Sequence, residues 1–265
     1  MCHTTRRYTS DVTDKQWAKL EPLLLVQRSG RGRPLKYELR VIVNAIFYIL
    51  RTGCQWDELP SEYPNHNTVY YHFRKWSRDG TWARLNTALR QQVRHKQQRH
   101  PEPSAAVMDC QSVKTTEAGG ARGFDGGKQV KGRKRHILVD TQGHLLAVLV
   151  HPANQAECKT APHLLAQLPP PTQAHLQHIW AGGAYRGDLA DQLQAQYDLT
   201  LEVVEKDPQA TGFRPLPRRW VVERTFAWLG RYRRLSKDYE QTNSSSVATL
   251  LIASIHSLLK RLAPA

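Results

Sequence analysis

The chain has 265 residues, 40% of them hydrophobic, which is enough to bury the core of one or two domains. Its formal net charge is +15, with the excess concentrated in the first hundred residues, so we expect a polyanionic partner: nucleic acid first, an acidic membrane surface as the alternative. No apolar run reaches the roughly 20 residues of a membrane-spanning helix, the N-terminus lacks a signal-peptide core, and the four cysteines have no paired spacing. From these patterns we expect neither a membrane-spanning protein, nor a secreted disulfide scaffold, nor a zinc site.

The first hundred residues have the pattern of a helical domain. Helices are predicted from the Thr13–Asp14 cap onward with Trp17, Leu20 and Leu24 buried, over 37–51, over 64–76 and near 81–94. The third helix places Val69 and Phe73 inward and leaves Arg74 and Lys75 able to face outward. A basic third helix suggests a helix-turn-helix, and an ordinary helical bundle with a solvated charged face stays open as the alternative.

A polar segment at 94–104 predicts a domain boundary near residue 100, after which strands alternate with helices. Strands are predicted at 105–110, 134–140, 144–150, 177–181 and 199–204, and helices at 157–168, 187–197, 218–234 and 245–262. The second and third strands form a hairpin, and 168–173 is predicted to be a stiff connector. This order indicates an α/β sheet with helices on its faces over residues 101–265, preceded by a helical DNA-binding domain over residues 1–100.

Two acids occupy positions that suit a metal site. Asp109 ends an apolar strand, so its carboxylate either emerges at the sheet edge or caps the following turn. Glu223 lies four residues after Arg219 on a helix face, a spacing that is also typical of a surface ion pair. Mg²⁺ prefers oxygen ligands, and a strand Asp and a helix Glu can converge on it in a nuclease-like fold. Two carboxylates are too few for a pair of ions, so a third is expected from another strand end.

Long motifs around these acids resemble those of one family. MDCQSVKTTEAGGARGFDGGKQVKGRKRHILVDTQG and RRWVVERTFAWLGRYRRLSKDYE strongly resemble bacterial insertion-sequence transposases of the DDE class, in particular the insertion-sequence-five family. LRTGCQWDELP and TVYYHFRKWSRDGTW match the helical domain ahead of their catalytic core, so the resemblance covers about residues 8–262. It implies an RNase H-like mixed sheet with flanking helices. Proteins with this core cut transposon ends and join them to target DNA, and their Asp, Asp and Glu residues hold Mg²⁺ or Mn²⁺.

Matched to that pattern, one acid is missing. The first acid falls on Asp109 and the last on Glu223, but Gly182 stands in the strand-end motif where the middle Asp belongs. Asp188, six residues later, is separated from the strand end by a turn, and Cys110 replaces a common serine. We therefore expect a transposase fold that binds the metal weakly and cleaves DNA poorly, or a catalytically inactive DNA-binding derivative.

Basic residues are the predicted DNA contacts. GRGRPLK resembles a minor-groove hook and is equally well a flexible basic loop. The predicted contacts are Arg31, Arg33, Lys36, Arg74, Lys75, Lys131, Arg133, Arg135, Arg219 and Arg231, with GFDGGKQ as a loop supporting DNA beside Asp109. The resemblance implies double-stranded DNA as the partner, a homodimer, and a cytoplasmic protein that associates with the bacterial nucleoid. A nucleophilic Cys110 with a histidine base stays open, although no residue in the sequence orients a base toward it.

Overall fold

The computed structural model describes residues 8–25, 36–117, 119–205 and 218–264. Its N-terminal part contains the four predicted helices, α1 (Asp14–Leu25), α2 (Leu39–Thr52), α3 (His66–Arg78) and α4 (Thr81–Lys96). Thr13 and Gln16 cap α1 reciprocally, since each side chain bonds the backbone N–H of the other. Gln16 is buried in place of the predicted Trp17, which is half-buried at the edge of the core.

A six-stranded mixed sheet follows. Its strands are β1 (Ala105–Lys114), β2 (Gly123–Asp125), β3 (Val130–Asp140), β4 (Leu145–Pro152), β5 (His178–Ala181) and β6 (Thr200–Val203). β3 pairs antiparallel with β1, β2 and β4, whereas β5 lies parallel to β1 and β6 parallel to β5. The order β4-β3-β1-β5-β6, antiparallel first and then parallel, is the RNase H-like arrangement, so the predicted fold class is confirmed.

Helices cover both faces of the sheet. They are α5 (Glu157–Leu165), α6 (Pro170–His175), α7 (Leu189–Tyr197), α8 (Trp220–Leu229) and α9 (Asn243–Leu262). The short α6 forms where the sequence predicts only a connector, because Pro170 at its first position costs no backbone hydrogen bond there. No helix among the described residues is long and apolar enough to cross a membrane.

The N-terminal helices and the sheet share one hydrophobic core. Val107 and Val139 of the sheet lie in the same buried cluster as Leu89 of α4 and Ile255 of α9. Met108, which faces the other side of β1, belongs to a second cluster beneath α5 and α7. α9 packs against all four N-terminal helices as well as β4 and α8. A boundary near residue 100 stays a prediction about domains, since the packing itself continues across it.

A buried ion pair joins the two parts. Arg94 of α4 lies 2.6 Å from Asp140 at the end of β3, and the Asp140 side chain is fully buried. Burial alone would raise the pKa of this carboxyl, but hydrogen bonds and charge from His144, together with Arg94, hold its pKa well below the usual range. A carboxyl whose folded pKa is depressed contributes stability above its unfolded pKa of about 4, and this stability is lost as the pH falls.

Asp140→Asn is therefore expected to lower the free energy of unfolding at neutral pH by about 3 kcal/mol, because it leaves the buried Arg94 without a counterion. The variant should also lose part of the acid dependence of stability below about pH 4. Chemical denaturation at a series of pH values measures both effects. Asp191→Asn, an exposed acid on α7, is the control and should leave the pH profile unchanged. Parallel profiles for the parent and Asp140→Asn would contradict the assignment.

Candidate active site

The end of β5 places Gly182 beside Asp109, which lies in the middle of β1 and not at the end of the strand as the sequence predicts. Met108 of β1 pairs with Ala181, the last residue of β5, so Asp109 and Gly182 are the next residue of each segment. β1 continues to Lys114 because it stays paired with β3, and Asp109 therefore lies beside the carboxyl end of β5, a location where ligand sites of α/β folds are found. The Asp109 side chain is 17% exposed, so it is accessible from this edge without being fully solvated.

The start of α8 brings the second acid to the same edge. Val222, Phe226 and Leu229 form its buried side, as the sequence predicts, and α8 packs against β1. Glu223 consequently faces outward, with its side chain 45% exposed. Arg219, which immediately precedes α8, has its Nη2 atom 3.7 Å from a carboxylate oxygen of each acid. The structure thus brings the two predicted acids together around one guanidinium; their metal-binding and catalytic roles stay predictions.

The same guanidinium fills the space beside Gly182. A Cβ atom built on Gly182 would lie 3.0 Å from Cζ and 3.3 Å from Nε of Arg219. That Nε is buried and has no hydrogen-bond acceptor among the described residues. Gly182 has φ −84° and ψ 175°, an extended conformation open to any residue. The backbone therefore does not require glycine here, and the unused donor lies 3.3 Å from the position of a Cβ atom at residue 182.

The electrostatics of Asp109 reflect this mixed environment. Burial raises the pKa of its carboxyl above the usual value, and the negative charge of Glu157 acts in the same direction. The backbone N–H of Cys110 and the charge of Arg219 oppose the increase without cancelling it. Because its counter-charge is incomplete, a further cation placed beside Asp109 would stabilise the ionised form of its carboxyl.

Two residues near Asp109, Lys128 and Glu157, were not predicted as part of the site from the sequence. Lys128 donates to the Cys110 carbonyl oxygen at 3.1 Å and lies 3.4 Å from Glu157, which is buried at the start of α5. A second lysine, Lys134, is 3.6 Å from the same carboxylate. Lys128 lies in the GFDGGKQ segment. Its hydrogen bond to Cys110 brings this segment close to Asp109, the preceding residue of β1. Glu157 gave no signal because it stands far along the chain outside any recognised motif.

Asp188 makes no ion pair with Arg219 among the described residues. It is exposed at the N-terminus of α7, beyond the 3₁₀ turn Gly183–Tyr185. The acids that lie beside Arg219 are Asp109 and Glu223.

Comparison with known proteins agrees with this arrangement. Residues 100–258, more than half of the chain, match the family described as "Transposase DDE domain". The chain belongs to the DDE transposase family. Residues 12–86 match the family described as "Putative transposase of IS4/5 family". The transposase is also 31% identical over 114 residues to the insertion element IS402 uncharacterized 16.2 kDa protein of Burkholderia cepacia, a match covering 41% of this chain and 76% of that protein. No solved structure matches it.

Transposases of this class act on DNA and generally use divalent metal ions. Asp109 and Glu223 offer the oxygen ligands that such ions prefer, and each lies 3.7 Å from the same Arg219 nitrogen. The chemistry of these two side chains fits such an ion. A second ion would depend on the carboxylate that Gly182 does not supply.

Two of the predicted DNA contacts are wrong. Arg133 is fully buried, where it donates to the carbonyl oxygens of Ala121, Glu240 and Gln241 and pairs with Asp238 at 3.2 Å. Arg135 is 3% exposed, donates to two further carbonyl oxygens near residue 236, and burial lowers its pKa to about 10. β3 is buried from Gly132 onward, so Arg133 and Arg135 point into the protein, whereas Lys131 near its start is exposed. These arginines hold the loop before α9 and cannot reach a phosphate.

The remaining predicted contacts differ in position. Those with exposed side chains are Lys36, Arg74, Lys75, Lys131 and Arg231. Arg219 is engaged by the two acids, and Arg31 and Arg33 lie outside the described residues.

A groove between α3 and the start of α9 carries one of these contacts. It has a volume of about 510 Å³, and Arg74, Arg78 and Arg234 line it together with Trp56 and Tyr70. The Arg74 guanidinium lies over the Tyr70 ring, 5.8 Å from its centroid. A groove lined by arginines and aromatic rings suits a polyanion with stacking groups.

Proposed function

We propose that this transposase binds double-stranded DNA at element ends and that its strand cleavage and joining are impaired. The observation that carries the proposal is the geometry at Gly182. A residue without a side chain occupies the edge between Asp109 and the unused Nε of Arg219, in a backbone conformation that would accept an acid. The family's middle carboxylate is absent without any structural need for its absence.

The residues that remain define what the site can do. Asp109 and Glu223 would hold Mg²⁺ or Mn²⁺, which when bound activates the attacking oxygen and stabilises the leaving oxygen of a phosphodiester. Arg219 offsets part of the charge of both acids in the absence of that ion, and its guanidinium is also suited to a phosphate oxygen. Asp109, partly buried and short of counter-charge, is the stronger candidate for the ligand that fixes the ion's position.

The expected loss of activity is large. Metal ions contribute several kcal/mol to transition-state stabilisation in such reactions, and each 1.4 kcal/mol or so is a tenfold change in rate. Losing one of three carboxylates weakens at least one ion site. We infer a cleavage rate reduced by about a hundredfold or more relative to a complete set of acids.

A second candidate function is a DNA-binding protein that recognises element ends and does not cut them. The observation that favours it is Arg219, which lies beside both remaining acids and offsets part of their charge without a metal ion. DNA binding does not depend on these acids, because the exposed basic side chains on α3 lie elsewhere on the surface.

One labelled duplex that carries an element end separates the two functions. The full chain is incubated with it in Mg²⁺ and in Mn²⁺, and both the shifted complex and the cut strands are quantified. An impaired transposase gives a complex and slow, metal-dependent products. A DNA-binding derivative gives the complex alone, and absence of any complex would overturn both.

The contribution of α3 is tested by salt dependence. Arg74→Ala and Lys75→Ala are each expected to weaken DNA binding and to reduce the slope of log K against log salt by about 0.9 for each phosphate that the variant no longer neutralises. Binding is measured over a range of salt concentrations by fluorescence anisotropy. Lys159→Ala removes an exposed lysine from α5, on the other face of the sheet, and should leave the slope unchanged. Equal slopes for the parent and both α3 variants would exclude this helix from the interface.

A further inference from the structure

Three potential metal ligands meet within the sheet on the face opposite to Asp109. Cys110 is paired with His136 across β1 and β3, and His151 lies two positions beyond the β4 partner of His136. Side chains alternate between faces along a strand, so these three share one face, while Asp109 points to the other. The Cys110 sulfur and one ring nitrogen of each histidine lie within 4.8 Å of one another.

His151 presents an unused nitrogen at this place. Its side chain is 4% exposed, and Nδ1 lies 3.1 Å from the Pro152 carbonyl oxygen, which can only accept. Nδ1 therefore carries the proton, and Nε2 carries the lone pair. Nε2 is buried with no hydrogen-bond partner among the described residues. Histidines that bind metals commonly donate their other ring N–H to a backbone carbonyl in this way.

His136 is held in the same tautomer. The Thr160 hydroxyl donates to backbone carbonyl oxygens of α5, so it accepts from Nδ1–H of His136 at 3.2 Å. Nε2 of His136 then accepts a hydrogen bond from the Tyr185 hydroxyl at 2.8 Å. This tautomer is neutral, and the His136 ring is fully buried.

We propose that Cys110, His136 and His151 form a buried site for one Zn²⁺ ion. A thiolate and two neutral imidazoles are ligands that zinc prefers, with Zn–S about 2.3 Å and Zn–N about 2.0 Å. On binding, the Cys110 thiol would release its proton to water and the sulfur–metal bond would form. The hydrogen bond from the Tyr185 hydroxyl to His136 Nε2 would break, so that this nitrogen can bind the ion. Three protein ligands would leave the fourth position of a tetrahedral ion for a water molecule.

The site lies directly behind Asp109 but is independent of the carboxylate site and of the proposed function. Its ligands come from three strands and lie far apart along the chain, which is why cysteine and histidine spacing gave no zinc pattern. A bound ion would hold β1, β3 and β4 together immediately behind the part of β1 that carries Asp109.

Metal content and cobalt spectroscopy test the proposal on the full chain. The protein is purified from cells grown in medium supplemented with Zn²⁺ or Co²⁺, and the metal is quantified after dialysis. We expect about one equivalent per chain and, in the cobalt form, a thiolate-to-metal charge-transfer band in the near ultraviolet. Cobalt held by Asp109 and Glu223 has no sulfur ligand and cannot produce this band. A parent protein without the equivalent or without the band overturns the proposal.

Two variants identify the side chains that produce the charge-transfer band. Cys110→Ser restores the residue common in related transposases, so it is expected to fold while losing the band and weakening metal binding by more than about a hundredfold. His151→Gln provides the second loss, and circular dichroism verifies that both variants are folded. The controls Cys54→Ser and Cys158→Ser should keep the band. A band that persists in Cys110→Ser, or that disappears in either control, assigns the metal elsewhere.

Discussion

Replacing Gly182 with aspartate is expected to raise the rate of Mg²⁺-dependent cleavage of end-containing DNA by about a hundredfold or more. The backbone at this position is extended, so aspartate adopts it without backbone strain. The three nearest atoms to the new Cβ belong to the Arg219 guanidinium group, at 3.0 to 3.3 Å, so this group must move slightly. A flexible side chain can shift by a few tenths of an ångström, and the new carboxylate would accept from its unused Nε.

Gly183→Asp is the matched control for this gain. It adds the same negative charge one residue later, at an exposed position where the nearest atoms to a new Cβ belong to Arg186 at 3.8 Å. Its cleavage rate should stay at the parent level, since the added carboxylate is outside the group formed with Asp109 and Glu223. Vigorous and equal cleavage by the parent and Gly182→Asp would defeat the idea that an acid is missing.

Arg133→Ala is expected to lower the free energy of unfolding by about 3 to 5 kcal/mol, because it leaves the buried Asp238 without its counterion. It also removes the donors to three backbone carbonyl oxygens and to Ser246. For a chain of this size the melting temperature should fall by about 10 °C. Thermal and denaturant unfolding measure the loss.

Lys131→Ala, two residues earlier on β3, is the comparison. Its side chain is exposed, so stability should stay within about 0.5 kcal/mol of the parent, and any effect should appear in DNA affinity instead. If Arg133→Ala is as stable as the parent and loses only DNA affinity, then Arg133 contacts phosphate, as the sequence predicts, and is not a buried counterion.

Much of the fold was predictable because its signals are local. The hairpin of β3 and β4 follows from two apolar runs around a turn, where Gly143 at φ 85° supplies the conformation the turn needs. The positions of Asp109 and Glu223 were recognisable from the buried residues of their elements, and the resemblance to transposases predicts an acid at position 182, where glycine stands.

The remaining features depend on packing between distant segments. Alternation predicts that Arg133 and Arg135 share a face, but it does not reveal that α9 and the loop before it cover that face. The proximity of Cys110, His136 and His151 likewise depends on strand register. Arg219 could be paired with Glu223 from spacing alone, whereas its contact with Gly182 requires the sheet and α8 to be assembled.

The position of α9 determines when the protein can fold during synthesis. This helix fills the space between α4 and β4, so both halves keep apolar surface open to water until the ribosome has translated it. A product stopped before Asn243 would be an aggregation-prone species instead of a soluble DNA-binding fragment. Nonsense mutations late in the reading frame should therefore silence the whole polypeptide and leave no truncated competitor for element ends.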